Sequence, residues 1–191
     1  MERRALAFEN HSNAELLADC QNGDRDAMHA LYVENQRRVY SVALNYFGGD
    51  RDKADDITQQ VFLKLLRKLD FRGDAEFTTW LYRLTVNQCI DECRKNRRLL
   101  PFSEWFGRPD AGPNISLNER FDSEEVSRQV RIFVAALKPK YRVPIILKYV
   151  EDLSYKEIAN ILNISIGTVS SRLNRSHKML AAKLGHLHGH I

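Results

Sequence analysis

The chain has 191 residues, of which 43% are hydrophobic and 28% are charged, and its formal net charge at pH 7 is +4. This composition is ordinary for a protein with a hydrophobic core and excludes wholesale disorder. The sequence contains no run of about 18 apolar residues and no hydrophobic signal segment, so we predict a cytoplasmic protein. The cysteines Cys20, Cys89 and Cys93 are an odd number in no disulfide pattern, and we interpret them as free thiols.

Apolar residues recur at helical spacing along most of the chain, as at Ile57, Val61 and Leu65, and this periodicity predicts an all-α fold. Capping and breaking residues divide the first half into four predicted helices. These run from Ser12, with Glu15 completing a capping box, to about Asn22–Gly23; from Asp24 to about Phe47; from about Asp52 to Leu69; and from about Glu76 to about Asn96. The glycines after Phe47 and the turn at residues 71–74 separate the last three.

The segment from Leu99 to about Asp122 lacks helical periodicity and contains three prolines and two glycines. It predicts a flexible linker, residues 99–122, between two small helical domains at residues 1–98 and 123–191. The apolar side chains of Phe102, Trp105 and Phe106 either lie on another surface or pack locally on the first domain. In the second domain, Pro144 predicts a helix that begins near Tyr141 and carries the proline in its first turn.

The most specific motif is a predicted helix-turn-helix in the second domain. Ser154 can cap a helix with Glu157 closing a capping box, and Ser165 can cap the next helix after a short turn. The outer face of this next helix is polar and basic, with Thr168, Ser170, Ser171, Arg172, Asn174, Arg175 and Lys178. Such a face suits the major groove of DNA, and the alternative is a solvated helical hairpin.

Residues 149–159 (YVEDLSYKEIA) and 166–173 (IGTVSSRL) closely resemble region 4 of the extracytoplasmic-function (ECF, group 4) sigma factors of the sigma-70 family. Residues 55–62 (DDITQQVF) resemble region 2.2, residues 71–73 and 77–83 resemble region 2.3, and residues 87–98 correspond to region 2.4. The resemblance covers residues 12–98 and 123–184 in the same order. The sequence departs from many relatives at Gln60, Ser170 and Lys138-Pro139, so a promoter sequence cannot be transferred.

The resemblance implies a protein that binds core RNA polymerase and directs promoter-specific initiation, with no catalysis, cofactor or small-molecule substrate. The polymerase surface would comprise Asp56, Gln59, Gln60, Phe62 and Leu66. The minus-10 DNA, including the melted non-template strand, would contact Phe71, Arg72, Gly73, Asp74, Phe77, Asn87, Asp91 and Arg94, where aromatic rings offer stacking platforms to unstacked bases. The outer face of the helix-turn-helix would read the minus-35 duplex.

The resemblance also implies an anti-sigma factor, commonly membrane-anchored, as a regulatory partner. A bacterial chain under such control would be cytoplasmic, associated with the nucleoid when active and held at the membrane otherwise. This partner is implied by the family alone.

Several patterns have more than one interpretation. Trp80 is either a core residue or a base platform. His177, His186, His188 and His190 either hold a transition metal or belong to a frayed tail, and Cys89 and Cys93 either bind metal with a third ligand or are buried thiols. A stand-alone helix-turn-helix regulator and a pure interaction module are the rival functions. A monomeric mass and tight binding to core polymerase would distinguish the sigma factor from the first. The second would not need the basic recognition helix and would show no salt-dependent DNA binding in either domain.

Overall fold

The computed structural model describes residues 13–67, 76–99 and 123–184. Within these ranges every regular element is an α-helix, which confirms the predicted all-α fold. The helices are α1 (Asn13–Gln21), α2 (Arg25–Tyr46), α3 (Arg51–Arg67), α4 (Phe77–Leu99), α5 (Ser123–Ala136), α6 (Pro139–Tyr149), α7 (Tyr155–Leu162) and α8 (Ile166–Leu184).

In the first domain, α1 to α4 pack around fully buried side chains that include Leu31, Ile57, Leu65 and Leu81. The predicted cap of α2 is confirmed, because the Asp24 carboxylate accepts hydrogen bonds from two backbone N–H groups of the first turn, at 2.8 and 3.2 Å. These groups have no partner inside the helix and need one at its start. The predicted Ser12 cap lies outside the described residues.

The helix α6 differs from its prediction. It begins at Pro139 rather than near Tyr141, and Pro144 lies inside it rather than in its first turn. Pro139 suits the first position, because its fixed φ is helical and it lacks an N–H that would be left unpaired there. The backbone N–H groups of Tyr141 and Arg142 already bond to the carbonyl of Lys138, at 2.8 and 3.0 Å, so the helix is established before Pro144.

The helix-turn-helix forms as predicted, with α7 and α8 joined by a short turn. The capping box of α7 is complete, because Ser154 N–H donates to the Glu157 carboxylate at 2.7 Å and Glu157 N–H donates to the Ser154 hydroxyl at 3.2 Å. Asn163 ends α7 in the left-handed conformation, with φ +51°. Ser165 then accepts a hydrogen bond from Thr168 N–H at 3.1 Å and starts α8.

The two domains lie against each other, and their buried side chains form one continuous apolar cluster. The helix α2 contacts α5 and α6, and α4 contacts α7. All three cysteines are free, as predicted from their number and spacing. Among the described helices, none combines the length and apolar character that a membrane span needs.

Candidate DNA and polymerase interfaces

The outer face of α8 is exposed and carries polar and basic side chains. Ser170, Ser171, Asn174, Arg175 and Lys178 are all exposed, whereas Val169 and Leu173 on the opposite face are buried. Because α8 is the second helix of the motif, this face has the position and chemistry of a recognition surface.

Three predicted members of this face, Thr168, Ser171 and Arg175, have further contacts within the protein. The Ser171 hydroxyl donates a hydrogen bond to the Thr168 carbonyl at 3.0 Å. The Thr168 hydroxyl lies 2.8 Å from the Ser165 hydroxyl, so it belongs to the cap of α8. Arg175 hydrogen-bonds to the hydroxyl of Tyr141, and this bond lowers the pKa of that tyrosine. Arg172 is half-buried and lines the cleft between the domains. The cations of this face therefore differ in solvent exposure, and Lys178 is more exposed than Arg172.

The predicted minus-10 residues on α4 form an exposed row. Asn87, Asp91 and Arg94 are exposed at helical spacing, and Arg94 pairs with Asp91 at 3.7 Å. Phe77 does not belong to this row, because its side chain is buried and packs against the half-buried Trp80, with ring centroids 6.0 Å apart. The prediction that Phe77 faces DNA is therefore corrected, and Trp80 packs against the same core. Phe71, Arg72, Gly73 and Asp74 lie outside the described residues.

The predicted polymerase face on α3 is only partly exposed. Asp56 and Gln59 are exposed, but Phe62 is 6% exposed and packs edge-on against Tyr32, with ring centroids 4.8 Å apart. Phe62 is thus a core residue, which corrects its assignment to a contact surface. Leu66 is half-buried against the same core. The exposed apolar side chain of this helix is Leu63, at 53% exposure.

Gln60 is half-buried and tied to α4. Its side-chain carbonyl accepts a hydrogen bond from Gln88, and the Gln88 carbonyl accepts one from Lys64. Gln60 therefore fixes α3 against α4 and is less available to a partner than Gln59. No local signal indicates these contacts, because Gln88 lies 28 positions after Gln60 in the chain.

A cleft of about 590 Å³ opens between the two domains. Its cations are Arg83, Lys140 and Arg172, and no acidic residue lines it among the described positions. Apolar side chains of α4, α6 and α7, among them Val86 and Ile161, complete its walls. Asn87 also lines this cleft, so one residue of the α4 row and one of the α8 face border the same space.

Side chains that the sequence did not single out join the domains beside this cleft. The Tyr82 hydroxyl donates to the Glu151 carboxylate at 2.7 Å, and burial, followed by this hydrogen bond, raises the pKa of Tyr82. Arg83 donates to the carbonyls of Asn160 and Ile161, at 2.6 and 3.3 Å. No local signal identifies these pairs, since their members lie 69 to 78 positions apart.

Metal binding finds no support in the described part of the chain. No group of three or more metal-ligating side chains occurs there. Burial, followed by the proximity of Cys93, raises the pKa of Cys89 and disfavours the thiolate that a metal requires. His177 instead lies 2.8 Å from the Tyr149 hydroxyl, and the other three histidines of the predicted cluster lie outside the described residues.

Comparisons with known proteins match both domains. Residues 31–99 match the family model of sigma-70 region 2, and residues 127–180 match that of sigma-70 region 4. The ECF RNA polymerase sigma-E factor of Escherichia coli (strain K12) is 35% identical over 180 residues, which cover 88% of this chain and 92% of that protein. The ECF RNA polymerase sigma factor SigW of Bacillus subtilis (strain 168) is 29% identical, covering 86% of this chain and 92% of its own.

Two solved structures share the fold. The structure of CnrH in complex with the cytosolic domain of CnrY has a TM-score of 0.63 at 24% identity, covering 90% of this chain and 96% of that chain. The structure of the sigma factor RpoE of Bartonella quintana in complex with the anti-sigma factor NepR has a TM-score of 0.61 at 23% identity. The match covers 80% of this chain and 93% of that chain.

Proposed function

This chain belongs to the extracytoplasmic-function (ECF) family of RNA polymerase sigma factors. We propose which of its surfaces bind core polymerase, the minus-10 element and the minus-35 element during promoter-specific initiation. Residues 1–98 form the polymerase-binding and minus-10 domain, residues 99–122 the linker, and residues 123–191 the minus-35 domain. The short segment between the two matched regions supports a group 4 sigma factor, in which no further region separates them.

The single observation that carries the DNA-reading proposal is the exposed polar and basic face of α8 on a capped helix-turn-helix. Ser170, Ser171 and Asn174 offer hydrogen bonds to base edges, and the cations of the face offer contacts to bases and phosphates. The Thr168 hydroxyl acts mainly in the cap that positions the helix. This arrangement reads the minus-35 duplex in the major groove.

The minus-10 element lies along the exposed row of α4. Asn87 and Arg94 supply hydrogen-bond donors, and the Asp91 carboxylate orients Arg94. Phe71, which precedes α4 in the chain, is the aromatic residue that the sequence offers as a stacking platform for an unpaired base. Phe77 supports the helix from inside the core.

Core RNA polymerase docks on the exposed side of α3. Asp56 and Gln59 provide the polar contacts, Leu63 provides the apolar area, and Gln60 holds α3 in place through Gln88. An apolar side chain beside polar groups is the usual anatomy of a specific interface. We assign Phe62 and Leu66 to the support of this surface.

An anti-sigma factor is the regulatory partner of this chain. Support comes from the sigma factor of Bartonella quintana, which was solved in complex with the anti-sigma factor NepR. Such a partner, anchored in the membrane, would hold a cytoplasmic chain there until a signal releases it to the nucleoid. The role of the chain is recognition, and it needs neither a cofactor nor a catalytic group.

The decisive experiment reconstitutes the chain with core RNA polymerase and maps transcription start sites across the genome. We expect starts at a defined set of promoters that share two spaced elements. The double variant Asp56→Asn, Gln59→Ala should bind core polymerase at least tenfold more weakly, because two polar contacts are lost. The control Asp26→Asn changes an exposed carboxylate on α2 and should bind normally. Full-strength binding by the double variant would overturn the assignment of α3.

A further inference from the structure

A tyrosine and a histidine meet on the surface of the second domain. The hydroxyl of Tyr149, the last residue of α6, lies 2.8 Å from Nε2 of His177 on α8. The two rings also pack edge to face, with centroids 5.5 Å apart. Both side chains are exposed, and Tyr149 reaches 62% exposure. A hydrogen bond and a ring contact therefore hold the imidazole in one orientation at a surface where a side chain without contacts would be mobile.

This pair borders the proposed minus-35 surface. His177 follows Asn174 by three positions and Ser170 by seven, and residues at these spacings lie on one side of a helix. All three side chains are exposed, whereas the neighbouring Ser176 is buried. The imidazole thus lies along the same edge of α8 as two of the polar groups assigned to DNA.

The Tyr149 hydroxyl can hold the imidazole in both of its protonation states. A hydroxyl donates and accepts, so it can donate to Nε2 of the neutral ring and accept from the Nε2–H of the charged ring. In both states Nδ1 carries an N–H, which can be donated to a phosphate oxygen. Protonation therefore adds a positive charge to His177 without requiring the ring to move.

The charged groups around the pair supply no acidic partner for the histidine. The carboxylates that follow α6 or begin α7 are bonded elsewhere, Glu151 to Tyr82, Asp152 to Lys148 and Glu157 to Ser154. The other ionisable side chains of the helices packed on α8 are cations and phenols: Arg128 and Arg131 in residues 126–136 of α5, Lys140, Tyr141, Arg142 and Lys148 on α6, and Tyr155 and Lys156 on α7. The helix α8 itself adds Arg172, Arg175, Lys178 and Lys183 and has no carboxylate. Among the described residues no carboxylate contacts the imidazole, so a DNA phosphate is the anion that would stabilise its charged form.

We propose that the Tyr149–His177 pair is a protonatable phosphate contact, through which the affinity of the chain for minus-35 DNA rises as the pH falls. The proposal rests on the role proposed above for α8, and Tyr149 is its positioning residue. Histidine is the side chain that changes charge near neutral pH, with an ordinary pKa of about 6.5. A nearby phosphate favours the charged form, so DNA binding takes up a proton. The extra affinity is present at acidic pH and is lost as the pH rises and the bound form releases its proton.

The test measures the Kd of the holoenzyme for a matched minus-35 duplex at about pH 6 and about pH 8, by fluorescence anisotropy at constant ionic strength. The ratio of the Kd at the higher pH to that at the lower should be about three- to tenfold larger for the wild type than for His177→Gln. Any pH dependence of polymerase itself cancels in this comparison. His177→Arg, which is always charged, should share the smaller ratio and bind more tightly than His177→Gln at the higher pH.

His29→Gln is the matched control, because His29 is an exposed histidine on α2 of the first domain. This variant should keep the ratio of the wild type. Tyr149→Phe removes only the hydroxyl and should lower the ratio towards that of His177→Gln. The histidines at positions 186, 188 and 190 are present in every variant, so their protonation does not affect the comparison.

The outcomes separate this contact from the function on which it rests. Equal ratios for the wild type and His177→Gln would overturn the proposal, and an undiminished ratio for Tyr149→Phe would remove the tyrosine from it. A holoenzyme that binds matched and mismatched duplexes equally at both pH values would contradict the proposed role of α8 instead.

Discussion

At the scale of single residues, the cations of α8 should divide into two kinds. Lys178 is exposed, whereas Arg172 is half-buried at the cleft. The side chain of Arg172 therefore has fewer accessible conformations than that of Lys178 when either contacts DNA. A guanidinium that is held in place can form paired hydrogen bonds to a guanine edge, whereas a mobile ammonium acts as a point charge on phosphates. The two side chains should therefore contribute differently to specificity.

We expect Arg172→Ala to reduce the preference for a matched over a mismatched minus-35 element by about 1–3 kcal/mol. Lys178→Ala should weaken binding to both sequences equally. It should also reduce the dependence of the binding constant on salt concentration by the amount expected for the loss of about one phosphate contact. Fluorescence anisotropy of the holoenzyme with both DNAs, over a range of salt concentrations, measures these quantities. Equal losses on matched and mismatched DNA for Arg172→Ala would remove its base-reading role.

The capping box of α7 makes a second prediction for single residues. The hydrogen bonds from Ser154 lower the pKa of Glu157, so its carboxylate stabilises the folded state at neutral pH. This contribution is complete above the ordinary glutamate pKa of 4.5 and is lost as the pH falls through the lower pKa of the folded state. The Glu157 carboxylate therefore contributes to the free energy of unfolding at neutral pH and not at strongly acidic pH.

Ser154→Ala should cost about 1 kcal/mol at pH 7, which corresponds to a drop of about 2–4 °C in Tm. Glu157→Ala should cost less at pH 3 than at pH 7, because its carboxylate is protonated at low pH. Thermal unfolding followed by circular dichroism measures both effects, with Lys156→Ala at the adjacent exposed position as the control. A pH-independent loss for Glu157→Ala would show that its charge is not involved.

At the scale of elements, a series of hydrogen-bonded polar side chains joins α3 to α4 beside their apolar contacts. Gln88 is buried and links Gln60 to Lys64, so removing it leaves two polar side chains without their partner. Lys64 is exposed and can bond to water instead, but Gln60 is half-buried, and leaving a polar group unsatisfied away from water costs more than the bond itself contributes. Gln59, one position before Gln60, is exposed and has no comparable role.

Gln88→Ala should lower the free energy of unfolding by about 1–3 kcal/mol, as measured by urea denaturation. Gln59→Ala should leave stability within about 0.5 kcal/mol of the wild type and should weaken polymerase binding. The two variants thus distinguish a residue that holds α3 in the fold from a residue of α3 that contacts polymerase. The opposite pattern, with Gln59→Ala the destabilising change, would contradict this division.

At the scale of the whole molecule, Arg142 connects the two domains. Its guanidinium donates to the carbonyls of Ala135 and Leu137 in its own domain and to that of Tyr46 in the other. A single side chain therefore satisfies backbone groups at the ends of α2 and α5. Lysine cannot replace it, because an ammonium lacks the planar fork of donors.

Arg142→Lys should weaken the coupling between the domains and lower stability by about 2 kcal/mol. We expect differential scanning calorimetry to show a single cooperative transition for the wild type and two partly separated transitions for the variant. One unchanged transition in the variant would show that the apolar contacts alone couple the domains.

Local sequence determined the elements of this protein and the type of its strongest motif. Helical periodicity predicted the helices, and the caps at Asp24, Ser154 and Ser165 lie where the sequence placed them, because a cap is a contact between neighbours in the chain. The helix-turn-helix and its polar face followed from the same local rules. Two short motif blocks also sufficed to indicate the family.

The tertiary structure alone decided which side chains of each helix are accessible. Phe62 and Phe77 were predicted to contact partners and are core residues, whereas Leu63 is exposed, because one helical position turns a side chain by about 100°. The contacts between the domains join residues as far apart as Tyr46 and Arg142, and no local pattern records such a pair. The sequence thus specified two domains and their likeness to known sigma factors, and long-range packing decided how those domains meet.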